Sequence, residues 1–161
     1  MTDNEKLTLE EFHKKIGAQA HNGIWNVLDN NEPSETELEE ALEMAYTSRY
    51  HWKKAGTLTN DVRAVYMISR VYSHWNRGER ALEYAYLMLN LAKKAEKSDD
   101  ENWASFDMPF VYEALAKAHA AAGNRDECDK YVKMSQELID ALADKQDKDI
   151  CQGELDKVKC P

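Results

Sequence analysis

The segment Glu40-Ala41-Leu42-Glu43-Met44-Ala45-Tyr46 returns 40 positions later as Arg80-Ala81-Leu82-Glu83-Tyr84-Ala85-Tyr86. A unit that recurs at such a period cannot bury its apolar face alone and does so by stacking on its neighbours. Both copies space Ala and Leu as a helix does, so the unit is a helical hairpin. Only three prolines and six glycines interrupt 161 residues, while strong helix formers abound. The hydrophobic share of 43% is enough for a real core, and the length suits one domain. The expectation is an all-α, right-handed array of three antiparallel helical hairpins over residues 1–145, with a charged tail or docking helix over 146–161.

Six main helices are predicted. The first runs from about Thr8 to Leu28, opened by the capping-box pair Thr8 and Glu11. Phe12, Ile16, Ala20, Ile24 and Leu28 give it one apolar stripe. Ser34 with Glu37 opens the second helix, which Gly56 ends. The third starts near Thr59 or Asn60 and turns Val62, Val65, Ile68, Ser69, Tyr72 and Trp75 to one side. The fourth, Gly78 to Glu96, buries Ala81, Ala85, Met88 and Ala92. The fifth covers Trp103 to Ala122, with Pro109 allowing a later start near Asp107. The sixth begins at Asn124 and carries Cys128, Val132, Ser135, Leu138 and Leu142. Beyond Asp144, Ile150, Leu155 and Val158 are the residues with which a short helix would dock.

Charge narrows the function classes. A net charge of −9 disfavours nucleic acid and anionic membranes as partners. No stretch approaches the roughly 20 apolar residues of a membrane span. The opening Met1-Thr2-Asp3-Asn4-Glu5-Lys6 is too polar for a signal peptide. Cys128, Cys151 and Cys160 are odd in number and lack CxxC spacing. They predict neither a disulfide framework nor a structural zinc, and a cytoplasmic location.

The strings Ile68-Ser69-x-x-Tyr72 with Ala81 and Ala85, and Leu115-Ala116-x-x-His119 with Gly123, Cys128 and Val132, resemble the tetratricopeptide-repeat signature. Small residues at these positions let two helices nest closely. The register agrees between hairpins: Ser69 precedes Ala81 by 12 positions and Ala116 precedes Cys128 by 12. The period of 47 between Ser69 and Ala116 exceeds the usual 34 or so. His119 replaces an aromatic, and the first hairpin matches only through Ala41 and Ala45. Ser48-Arg49-Tyr50-His51-Trp52 and Met67-Ile68-Ser69-Arg70-Val71-Tyr72 are also similar to a group of small bacterial proteins without assigned function.

The resemblance implies a concave groove that holds an extended peptide. Its register puts Arg63, Tyr66, Arg70, Ser73 and His74 of the third helix in that groove. Phe110, Glu113, Lys117 and Ala120 of the fifth join them, and His21, Asn22 or Trp25 of the first stand at the edge. An acidic chain that gathers Arg63, Arg70 and Lys117 on one surface suits an acidic peptide or a C-terminal carboxylate, since arginine grips carboxylates in bidentate fashion. Tyr66, Trp25 and Phe110 supply apolar anchors. The plainer reading pairs Arg63 and Arg70 with acids such as Asp61 or Glu113.

Two further constellations stand beside this one. His21, His51, His74 and His119 lie on four helices, and a pocket around His21, His51, Arg70 and Glu113 is the alternative site for a small molecule or metal, with or without catalysis. No HxxxH or HExxH spacing supports it. The crowd Tyr46, Arg49, Tyr50, His51 and Trp52 either lines a small pocket or forms a buried polar network. No phosphate loop, GxSxG elbow or nucleophile-plus-base pattern occurs. The expectation is a non-enzymatic, cofactor-free module with a protein or peptide partner and the capacity to form a homodimer.

Overall fold

The computed structural model describes residues 6–161. The stretch Met1–Glu5, which carries most of the signal-peptide argument, lies outside the described residues. Among the described residues there are seven helices and no strand: α1 (Leu9–Leu28), α2 (Glu35–Ala55), α3 (Leu58–His74), α4 (Gly78–Glu96), α5 (Asp107–Ala121), α6 (Arg125–Asp140) and α7 (Lys145–Leu155). No helix is long and apolar enough to cross a membrane.

Local chemistry fixes the helix ends. Thr8 and Ser34 each accept from the N–H three residues on, while Glu11 and Glu37 accept in return from the cap N–H. The third helix starts earlier than its apolar pattern suggests, because Asn60 Oδ1 accepts from the Thr57 N–H. The fifth starts at Asp107. Its carboxylate accepts from the Ala104 N–H at 2.8 Å, so the chain before it turns instead of coiling. Gly123, with φ +78°, makes the left-handed turn between α5 and α6.

Neighbouring helices pack in pairs, α1 with α2, α3 with α4 and α5 with α6, while α1, α3, α5 and α7 also touch in sequence. Each pair is stitched by one fully buried serine. Ser48 donates to the Gly17 carbonyl, Ser69 to Ala81 and Ser135 to Pro109, at 2.9, 3.0 and 2.9 Å. A short hydroxyl satisfies itself on a facing helix backbone only where the two backbones come close. Ser69, Ala81, Ala116 and Cys128 all have no exposed surface.

The aromatic crowd at the end of α2 is divided among several contacts. Tyr46 hydroxyl bonds to those of Tyr72 and Tyr84, at 3.0 and 2.9 Å. Trp52 lies against Gly17, and Arg49 pairs with Asp61 at 2.9 Å. The α1 stripe is buried only in its second half: Ile24 and Leu28 are in the core, whereas Phe12 is 44% exposed. On α6 the buried stripe is Cys128, Tyr131, Ser135 and Ile139. Val132, Leu138 and Leu142 are half-buried beside it.

Of the two forms expected for the C-terminal segment, it takes the docking helix, α7, and the departure is the disulfide that follows, Cys160 to Cys128. The predicted absence of disulfides is therefore corrected. Sequence spacing held no sign of the pair, because the tail must fold back along α6 before the two sulfurs meet.

Gly78 opens α4 against the end of α5. A Cβ there would stand 2.5 Å from Ala122 Cα, inside any permissible contact. Helix propensity alone favours alanine by about 1 kcal/mol. Overpacking against backbone reverses that sign, so Gly78→Ala should lose about 1–3 kcal/mol in urea unfolding. A stabilised variant would contradict the packing.

Candidate functional site

The predicted groove residues fall on two hollows and an ion cluster between them. The cluster is built on α3 and α5. Arg70 and Glu113 face each other across the two helices, 5% and 1% exposed. Arg70 Nη1 lies 3.3 Å from Glu113 Oε1, and Lys117 Nζ, one turn along α5, lies 2.5 Å from the same oxygen. Tyr66, one turn before Arg70, donates to Glu113 Oε2 at 2.8 Å and accepts from Arg70. Trp25 of α1 covers the guanidinium, 5.7 Å from ring centre to Cζ.

A second carboxylate completes the cluster. Glu154 of α7 places Oε2 at 3.1 Å from Arg70 Nη2 and 3.4 Å from Lys117 Nζ. Its other oxygen meets Lys157 at 2.7 Å, and Lys157 reaches Asp29, at the end of α1, at 3.6 Å. Burial alone would raise the Glu154 carboxyl. The Lys157 hydrogen bond and the charges of Arg70, Lys117 and Lys157 outweigh that effect and hold it at about 2. Lys117 is pushed down by burial and by Arg70, with Glu113 and Glu154 opposing. Burial pushes the Tyr66 hydroxyl well above its ordinary range.

The first hollow is a cleft of about 420 Å³ beside this cluster. Arg70, Ser73 and His74 of α3 form one wall, Lys117 and Ala120 of α5 another, and Lys157, Val158 and Lys159 a third. Its charged lining is cationic, in a chain of net charge −9. Ser73 Oγ is buried there with no hydrogen-bond partner. His74 Nε2 is 2.7 Å from the Asn30 carbonyl oxygen.

The second hollow, about 130 Å³, is apolar. His21, Trp25, Tyr66, Phe106 and Phe110 line it, with Arg63 at its edge. Arg63 is committed to Asp107 through two bonds of 2.8 and 2.9 Å. Its expected partner, Asp61, belongs to Arg49. Burial, then the Arg63 charge, pushes His21 down.

Several expectations change. The concave groove expected to present Arg70 is not open there, because α7 lays Glu154 over the guanidinium. Nor do His21, His51, Arg70 and Glu113 make one pocket. His51 pairs with His13 between α1 and α2, Nδ1 to Nδ1 at 2.8 Å, and His119 bonds to Tyr86 at 2.9 Å. Among the described residues no three His, Cys, Asp or Glu side chains gather as a metal site would require. The residues that sequence reasoning missed are Glu154, Lys157, Lys159 and Asp107. The pattern Glu154-Leu155-x-x-Val158 was the available signal: apolar residues that dock the tail bring the acid beside them close to the groove.

Compared with protein families, curated proteins and solved structures, the chain matches none.

Two predictions test the electrostatics. Removing Glu113 leaves Arg70 and Lys117 to share Glu154, one buried positive charge in excess, so Glu113→Ala should destabilise by about 3–5 kcal/mol in denaturant unfolding. A loss below about 1 kcal/mol, the range of a surface pair, would contradict the burial. Burial lowers His21, His51 and His119 from the ordinary 6.5. Their folded forms favour the neutral ring, so stability is full above 6.5 and falls as pH drops below it. Calorimetry should show Tm declining from pH 7 to 5.5, less steeply in His51→Gln. A Tm flat across that window would contradict the shifts.

Proposed function

We propose that the chain is a non-catalytic interaction module, a right-handed array of three tetratricopeptide-like hairpins capped by α7, whose groove holds an acidic peptide or C-terminal carboxylate. The observation that carries this reading is the seat of Glu154. A carboxylate delivered by a separate helix rests on Arg70 and Lys117, which Glu113 and Trp25 hold in place from behind. Groups pre-arranged in this way need little reorganisation to take the same chemistry from another chain. The apolar hollow lined by Trp25, Tyr66 and Phe110 offers an anchor site. The net charge of −9 elsewhere repels nucleic acid and anionic membrane, which favours a protein or peptide partner.

Fluorescence polarisation tests this with the full chain, with and without reductant. The probe is a labelled Asp/Glu-rich dodecapeptide ending in a free carboxylate, compared with its amidated form. The free-acid peptide should bind in at least one redox state, more weakly as salt rises. Lys117→Glu should weaken it by about tenfold or more, and Lys117→Arg much less. No binding in either state, or undiminished binding by a folded Lys117→Glu, would defeat the proposal.

A further inference from the structure

The helix that supplies Glu154 is weakly embedded. Its buried residues Cys151 and Leu155 form, with Ile139, a small apolar cluster that joins the main core only through half-buried side chains such as Phe110, Val132 and Val158. Eleven residues are too few for a helix to persist alone in water. Polar links do much of the holding: Gln152 exchanges amide bonds with Gln136, Glu154 bonds to Arg70, and Lys157 reaches Asp29. After α7 the chain runs along the cleft, closes one side of it with Lys157, Val158 and Lys159, and is tied down at Cys160.

We propose that residues 154–160 are an internal ligand of the groove, locked in by the Cys128–Cys160 bond, and that a dithiol reductant frees the seat on Arg70 and Lys117 for an external carboxylate-bearing peptide. This rests on the reading of the groove as a carboxylate seat and adds its regulation. The internal ligand also describes the external one: an acidic side chain followed by apolar residues, as in Glu154-Leu155-x-x-Val158.

The chemistry is thiol–disulfide exchange. Cys128 has no exposed surface, whereas Cys160 is half-buried, so Cys160 Sγ is the sulfur open to attack. A thiolate of the dithiol bonds to it, and the electron pair of the broken bond leaves on Cys128 Sγ, which takes a proton. The second thiol of the reductant then displaces Cys160 as a thiol and leaves as the oxidised cyclic disulfide. Two electrons and two protons pass to the protein. Burial pushes the Cys151 thiol up to about 11, so it stays protonated and does not scramble the pair. Once the tie is cut, residues 154–160 are held by those polar links, by the small apolar cluster around Ile139, Cys151 and Leu155, and by Val158 against the main core, with no covalent bond. Arg70 and Lys117 keep Glu113 and Trp25, so the seat survives the departure of Glu154.

The test labels lysines of the full chain with an amine-acylating reagent, oxidised and reduced, and reads each site by mass spectrometry beside amide hydrogen exchange. Reduction should raise Lys117 acylation by about tenfold or more and release the amides of residues 145–161, while α1–α6 stay protected. Cys160→Ser should match the reduced chain and ignore reductant. The acidic dodecapeptide should bind the reduced chain at least about tenfold more tightly than the oxidised one. Lys117 equally shielded in both states, release of the whole chain at once, or equal peptide affinity in both states would overturn the proposal. If Lys117 is unmasked and the peptide binds neither state, the release stands and the reading of the groove as a peptide seat falls.

Discussion

Arg70 is a permanent charge with almost no access to water, and much of the molecule is arranged around that fact. An unpaired guanidinium in this position would cost several kcal/mol, so carboxylates must reach it. Glu113 arrives from α5 and Glu154 from α7, Tyr66 bridges from the same helix, and Trp25 of α1 closes the remaining side. One side chain thereby ties four helices that are distant in sequence. Lys117 balances the second carboxylate, since two acids on one arginine would leave a negative charge equally unsupported.

The same arrangement gives the groove its character. A surface that has already organised two cations around the carboxylate of a separate helix is suited to carboxylate chemistry. On the proposed reading, the tie at Cys128 and Cys160 decides whether the internal or an external acid occupies it. In a reducing compartment that tie is open, and in an oxidising one it is closed. Occupancy of the groove is thereby proposed to follow the redox state of the surroundings.

Features set by neighbours in sequence were legible in the chain. The capping pairs Thr8 with Glu11 and Ser34 with Glu37 depend on residues three apart, and both form. Ser69 with Ala81 and Ala116 with Cys128 had to be buried if helices nest at small side chains, and all four are. Helical spacing alone pairs Glu113 with Lys117, and the register taken from the repeat resemblance set Arg70 on the same surface. The choice among partners was not legible. Arg63 had Asp61 within one turn yet takes Asp107, because Asp61 faces Arg49 on α2. The histidines suggested convergence, but His13 captures His51 at the α1–α2 seam. The strap and its disulfide depend on a tail whose apolar residues are few, so periodicity carried little signal there. In each case the outcome turned on contacts between residues far apart in the chain.

The account depends on Glu154 being an ionised carboxylate held by Arg70, Lys117 and Lys157. A carbon-detected NMR titration of the Glu154 carboxyl in the oxidised chain measures that directly. The value should lie near 2, well below the ordinary 4.5. A carboxyl that titrates at about 4.5, as a glutamate free in water does, would mean that Glu154 is not seated on Arg70.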